Sequence, residues 1–424
     1  MARMFDLTRV RAAFPGLQHT TEHETAAGPG PVLFDAAGGS QMLGSVVDAI
    51  ASYARTSFVQ LGASYPRSRL ATERVVAGRA AMAELVGAGA ATELLLGPST
   101  TQLLANLALS AAFALEPGDE VIVSDVDHES NIGPWRRMAA LRGATVRTWT
   151  IDRPAAEAGA DALSLETLDT LLTPRTRIVA VTHCSNIFGA LVPVAQIAER
   201  VHAAGARLVV DGVAYAPHRL IDVTATGADA YVFSTYKVYG PHLAVLWIRP
   251  HWAAQLGSIN HEFLGDVLPY KLEPGGVQHE LVAALPAVRD YLAALADAPT
   301  ALDVRTRLAI SFEQIATYEA TLAARLLEFL TARRGVRVIG PTTPDRDVRV
   351  PTISFVVDGM LAAEVVAKID PHGVALRHGD FYARRLIEAL GLREQGGVVR
   401  ASMVHYATLD EVDRLIAALD RAVD

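Results

Sequence analysis

Between Arg177 and Asp211 the hydrophobic pattern changes period twice, and this restricts the fold more than any other feature of the chain. Arg177 to His183 is a nearly continuous apolar run, Val194 to Ala203 repeats apolar residues at helical spacing, and Arg207 to Val210 is apolar again. Continuous runs mark strands covered on both faces, and an amphipathic helix between two of them reads as a parallel βαβ unit. The same alternation begins at Leu94-Leu95-Leu96, with a helical stretch from Gln102 to Leu115 behind it. It continues through strands at Glu120 to Ser124, Ala144 to Ile151 and Ala228 to Phe233, with a polar linker through about Asp161. Further helices are expected from about Gly44 to Ser57, from about Ala71 to Val86, and near Pro134. The pattern predicts an α/β fold: a large, mostly parallel sheet sandwiched by helices.

The C-terminal part reads differently. A long helix from Phe312 to Arg334 is followed by short strands near Val336, Pro351 to Val357, Val374 to Arg377 and Val398 to Met403. These alternate with helices near Ala362, Ala383 and Leu409, which predicts a smaller α+β domain. The expected division is an N-terminal segment (1–30), a large domain (31–295) and a small domain (296–424), with the link between Leu295 and Val304 as the boundary.

A chain of 424 residues, 51% of them hydrophobic, can bury a core of this size. Its net charge of -8 and pI near 5.9, with Lys and Arg scattered, argue against a nucleic-acid partner. Met1 to Pro15 lacks the apolar core of a secretion signal, and no apolar run reaches membrane length, so a cytoplasmic protein without a membrane partner is expected. The single cysteine, Cys184, cannot form an internal disulfide, which suits a reducing compartment.

Two segments imitate known motifs. His19-Thr20-Thr21-Glu22-His23 has the letters of an inverted zinc-protease pattern, but it stands between Pro15-Gly16 and Gly28-Pro29-Gly30-Pro31, where the rigid helix such a site needs is disfavoured. Gly87-Ala88-Gly89-Ala90-Ala91-Thr92 resembles part of a dinucleotide fingerprint, yet it ends a helical stretch instead of following a strand. It reads as a helix stop.

The ends of the predicted strands carry the chemistry, because ligands of open parallel sheets collect beyond the carboxyl ends of their strands. Gly97-Pro98-Ser99-Thr100-Thr101 opens a helix, so its hydroxyls and free N–H groups form an anion site; an ordinary N-cap at Ser99 or Thr100 is the plainer reading. His128 follows the next strand and is placed either to lie on an aromatic ring or to face solvent. Asp211 ends Leu208-Val209-Val210, where an anion needs a cationic partner such as a protonated pyridine nitrogen. Lys237 stands in Ser234-Thr235-Tyr236-Lys237-Val238-Tyr239-Gly240 at the end of another apolar run, where it either forms an imine with an aldehyde cofactor or snorkels to water.

An anion site, a flat stacking group, an acid and a lysine, in this order, are what pyridoxal 5'-phosphate requires. The chain resembles the class V aminotransferase and cysteine desulfurase group of fold-type I enzymes. The resemblance runs from Phe34-Asp35-Ala36-Ala37 through Thr100-Thr101, His128-Glu129-Ser130-Asn131, Ser185-Asn186, Asp211-Gly212 and Ser234-Thr235-Tyr236-Lys237 to Arg400-Ala401-Ser402. It implies Lys237 as the Schiff-base lysine, Asp211 as the pyridinium partner and His128 as the stacked residue. Thr100, Thr101 and Ser234 match phosphate ligands, and Asn186 the group that hydrogen-bonds the ring hydroxyl. Arg400 matches the arginine that pairs with a substrate carboxylate, with Arg377 assisting. A homodimer acting on a small amino acid is implied as well.

Departures accompany the likeness. Ala214 stands where desulfurases place a glutamine, Tyr236 replaces the usual histidine before the lysine, and Gly276 falls where relatives donate a threonine across the dimer. Desulfurases also carry a nucleophilic cysteine shortly after a substrate-contacting arginine; here that stretch is Arg377-His378-Gly379-Asp380-Phe381-Tyr382-Ala383. Cys184 is the remaining thiol, as an inert core residue or a sulfur acceptor, and Asp380 or Tyr382 are the other groups able to fill the missing role. The expected activity is desulfurase-like C–S cleavage of an amino acid through a Schiff base, without the loop persulfide. An aminotransferase or an epimerase of the isopenicillin N epimerase kind is the alternative. A non-enzymatic binder of the cofactor and a dinucleotide-dependent oxidoreductase are more distant rivals.

Overall fold

The computed structural model describes residues 5–18, 32–153 and 163–423; the His19-to-His23 segment lies outside them. In chain order the strands are β1 (Val32–Leu33), β2 (Leu94–Gly97), β3 (Glu120–Ser124), β4 (Thr145–Trp149), β5 (Thr176–Thr182), β6 (Arg207–Asp211) and β7 (Ala230–Ser234). They continue as β8 (Ala244–Ile248), β9 (Val336–Ile339), β10 (Thr352–Val357), β11 (Val374–Ala375), β12 (Arg377–Gly379) and β13 (Val398–Ser402).

Seven strands form one sheet in the order β2-β8-β7-β6-β5-β3-β4. Only β8 runs against its neighbours, β2 and β7, so β2, β3, β5, β6 and β7 all point their carboxyl ends to one edge. Successive side chains enter different cores. On β5, Ile178 and Ala180 pack with the helices Thr100–Ala112 and Gly133–Arg142, whereas Val179 and Val181 pack on the opposite face with Val194–Ala203. Both faces are therefore covered, which is why the strands read as unbroken apolar runs. The mostly parallel sheet expected from the sequence is present; β8, between β2 and β7, was not anticipated.

A second, antiparallel sheet has the order β12-β13-β10-β9 and packs against Ala362–Ile369, Leu409–Ala422 and the far half of Val304–Ala332. That long helix begins two turns before the expected Phe312, because Asp303 caps it by accepting from the Thr306 N–H. The helix expected from Ala71 likewise starts at Pro66, whose fixed φ suits the first helical position. Leu308, Phe312 and Ile315 belong to the core of the large sheet, while Leu322, Leu326 and Leu330 belong to that of the small one. One helix thus serves both cores. At the other end of the chain β1 pairs in parallel with β11, and Phe34 joins the small core. Gly87, at φ +72, ends Pro66–Val86 in the left-handed conformation, the helix stop read from the sequence.

Candidate active site

The five parallel carboxyl ends deliver their polar residues to one cavity, lined by Thr100, Thr101, His128, Asp211, Ser234 and Lys237, with Asn186 and Tyr236 on its wall. Ser99 takes the N-cap, accepting from the Gln102 N–H at 3.1 Å. Thr100 is left free to bond Ser234, hydroxyl to hydroxyl, at 2.7 Å. The plain capping role and the anion site therefore coexist on neighbouring residues.

Lys237 follows β7 on a short 3-10 turn (Thr235–Lys237). It is half-buried and lines the cavity. Burial first, then the Arg400 charge, pulls its pKa down to about 8, against the opposing pull of Asp211 and Asp35. Among the described residues its amine makes no hydrogen bond, and the Tyr236 ring lies 5.9 Å away. Asp211 is buried, and Oδ1 accepts from the Val213 N–H at 2.9 Å. Burial raises its pKa to about 6, with the Val213 bond and Lys237 restraining the rise. Gly212 permits this geometry: a Cβ there would lie 2.2 Å from the Tyr231 ring.

His128 lines the same cavity, its Nδ1 2.7 Å from the Ser130 hydroxyl. Burial, then Lys237 and Arg400, lowers its pKa to about 4, so a neutral ring faces the site. Asn186 donates one amide hydrogen to the Phe381 carbonyl at 2.9 Å, which leaves its oxygen and second hydrogen for a ligand. Tyr236 stacks on His242 with centroids 4.9 Å apart.

Arg400 and Arg377 pair across β13 and β12 and stand outside the wall of this cavity. Arg400 is 2% exposed; Nη2 meets Asp35 at 3.1 Å, Nη1 donates to the Asn186 carbonyl at 3.2 Å, and Phe381 covers its face at 3.7 Å. Its Nε is buried without a partner among the described residues. The solvent-exposed Arg377 reaches the other oxygen of Asp35 at 3.4 Å.

Sequence reading assigned no role to Asp35, Phe381 or Asp127. Asp127 is fully buried, held by the Ser124 hydroxyl and by Asn131 Nδ2 at 2.7 Å. Burial raises its pKa to about 8, and Asp211 adds to the rise. Its one signal in the sequence is an acid at a strand end beside apolar Val126. Cys184 is buried, and burial pushes its thiol up to about 12.

An aminotransferase class-V family model matches residues 32–415. The chain belongs to the class V aminotransferase family. It is 42% identical over 424 residues to the aminotransferase-like protein FGM3 of Gibberella zeae, covering 98% of each chain. To a cysteine desulfurase of Cronobacter sakazakii it is 31% identical over 432 residues, again covering 98% of each. It superposes on the crystal structure of the cysteine desulfurase CsdA of Escherichia coli with a TM-score of 0.81, at 28% identity and 99% coverage of both chains. The fold is therefore the fold-type I architecture, and the family works with pyridoxal phosphate.

The residues present fit that cofactor. Lys237 offers an amine without a hydrogen-bond partner among the described residues, Asp211 an acid at the cavity wall, and Thr100 and Ser234 hydroxyls that meet at a helix N-terminus. Thr101 and Asn186 would complete the cradle, and His128 would lie against the ring.

Proposed function

We propose that this protein cleaves the C–S bond of an amino acid by elimination, releasing the sulfur directly to solution. The observation that carries the reading is an amine at Lys237 lining one cavity with Asp211, in a chain whose one thiol, Cys184, is buried at the wall of that cavity with its pKa pushed up to about 12. Pyridoxal phosphate supplies a carbonyl that condenses with amines and a ring that accepts the electron pair of a bond broken at Cα. Asp211, ionised at neutral pH, would hold the proton on the pyridine nitrogen. Arg400 would hold the substrate carboxylate, its unpartnered Nε providing a donor. With its pKa near 8, Lys237 has an appreciable neutral fraction at neutral pH and would take the Cα proton. Loss of the sulfur from Cβ then leaves a product that water resolves into a 2-oxo acid and ammonia.

Transamination is the second reading, favoured by the 42% identity to an aminotransferase-like protein. Here Lys237 would return the proton to a different carbon, and a keto acid would be consumed. On either reading we take the protein to be a cytoplasmic homodimer. Supporting it, Phe263, Val267 and Tyr270 expose large apolar side chains close together in sequence, and no helix among the described residues is long and apolar enough to cross a membrane.

Purified protein supplied with a panel of thio-amino acids should release sulfide or thiol together with pyruvate. Lys237→Ala should lose activity by about 10²- to 10⁴-fold. Turnover of every thio-substrate without sulfur release, coupled to amination of a keto acid, would favour transamination instead.

A further inference from the structure

Arg400 is already engaged by a carboxylate. Asp35, just after β1, puts Oδ1 3.1 Å from Arg400 Nη2 and Oδ2 3.4 Å from Arg377 Nη1. Two guanidinium groups thus share one anion, which leaves the cluster one positive charge in excess. Phe381 stacks on Arg400 at 3.7 Å and comes within 5.9 Å of Arg377. Its segment is unusual: Phe381 and Tyr382 have φ of +50 and +60, a region costly for side chains of this size. Bonds from Asn186 to the Phe381 carbonyl, from the Glu129 N–H to the Tyr382 carbonyl at 2.8 Å, and from the Tyr382 N–H to Asp380 hold it there. Phe381 is thus pinned against the face of the arginine, while Asp35, 29% exposed, sits at its edge.

We propose that Asp35 is an internal stand-in for the substrate carboxylate, surrendering Arg400 to the incoming substrate while remaining paired to Arg377. The proposal rests on the reading of Arg400 as the carboxylate-binding group. The exchange balances charge: at rest two guanidinium groups face one carboxylate, and with substrate bound they face two. Arg377 is then the partner that retains Asp35, not a direct ligand of the substrate. The arrangement sets specificity as well as affinity, because only a ligand with its own carboxylate replaces the contact that Asp35 gives up. An amine without a carboxylate would leave Asp35 in place.

The test uses the cofactor-loaded enzyme, with L-alanine and L-alaninamide as probes and the change in cofactor absorbance as the measure of binding. Asp35→Asn removes the competing charge while keeping the shape, so it should tighten L-alanine by roughly tenfold, the scale of one charge-assisted hydrogen bond, and leave L-alaninamide unchanged. Arg377→Gln should weaken L-alanine while Asp35 is present. In the Asp35→Asn background the same change should have little effect, giving a non-additive double-mutant cycle. A fold-supporting role for Asp35 would change both probes alike. Weaker or unchanged L-alanine binding in Asp35→Asn overturns the proposal. Failure of the underlying reading has its own signature: Arg400→Gln would leave the ratio of L-alanine to L-alaninamide affinity as it was.

Discussion

The hydroxyls of Thr100 and Ser234, 134 residues apart in sequence, meet at 2.7 Å. One opens the helix after β2 and the other ends β7, and β8 alone separates those strands in the sheet. Within the pair one hydroxyl donates to the other, so one hydrogen remains for an anion bound at the helix N-terminus. Thr100→Ala or Ser234→Ala should weaken pyridoxal phosphate by roughly tenfold each. The double variant should lose less than the product, because each residue orients the other. Titration of cofactor absorbance gives the three dissociation constants; full additivity would mean the hydroxyls act independently.

Asp127 and Asp211 are neighbouring buried acids whose pKa values lie at about 8 and about 6. At neutral pH the pair therefore carries mainly one charge, on Asp211. An acid whose pKa is raised by folding binds more protons folded than unfolded, so its contribution to stability falls as pH rises from about 4 to about 8. Asp127→Asn carries no such charge. Its thermal midpoint should gain on the parent protein by about 2 °C or more between pH 5 and pH 9. Parallel curves for the two proteins would place the Asp127 titration elsewhere.

Burial holds the Cys184 thiol at a pKa of about 12, so its thiolate fraction at pH 8 is on the order of 10⁻⁴. A thiol reagent should label the native protein far more slowly than the unfolded chain, by roughly 10³-fold. After turnover of a thio-substrate, intact mass should show no added sulfur. Rapid native labelling, or a persulfide on Cys184, would reinstate it as a sulfur acceptor.

Gly212 lets Asp211 turn back beside the Tyr231 ring, where an added Cβ would meet Cε1 and Oη at 2.2 Å. Gly212→Ala should cost about 1–3 kcal/mol by overpacking, measured by denaturant unfolding. In a Tyr231→Leu background, where the ring is gone, the same change should cost less. An equal penalty in both backgrounds would locate the strain in the backbone instead.

Sequence alone determined the parallel strands and the identity of the groups at their carboxyl ends, but not β8, which runs against its neighbours between β2 and β7. Apolar runs such as Val209-Val210 and Val232-Phe233 need two covered faces, and a polar residue at the end of such a run is carried to the strand's exit. Asp211, Ser234 and Lys237 were legible for that reason, as was their order along the chain. The long helix from Val304 was only partly legible, because Asp303 caps it about two turns before the apolar stripe expected from Phe312. Tertiary structure alone decided how Arg400 is occupied. Asp35 lies 365 residues before it, and no local periodicity encodes a contact that forms only when Asp35, just after β1, bridges to Ser402 at the end of β13. It likewise decided the state of Asp127, since an acid in a strand-end loop is solvated or buried according to what packs over it, and desolvation sets its charge.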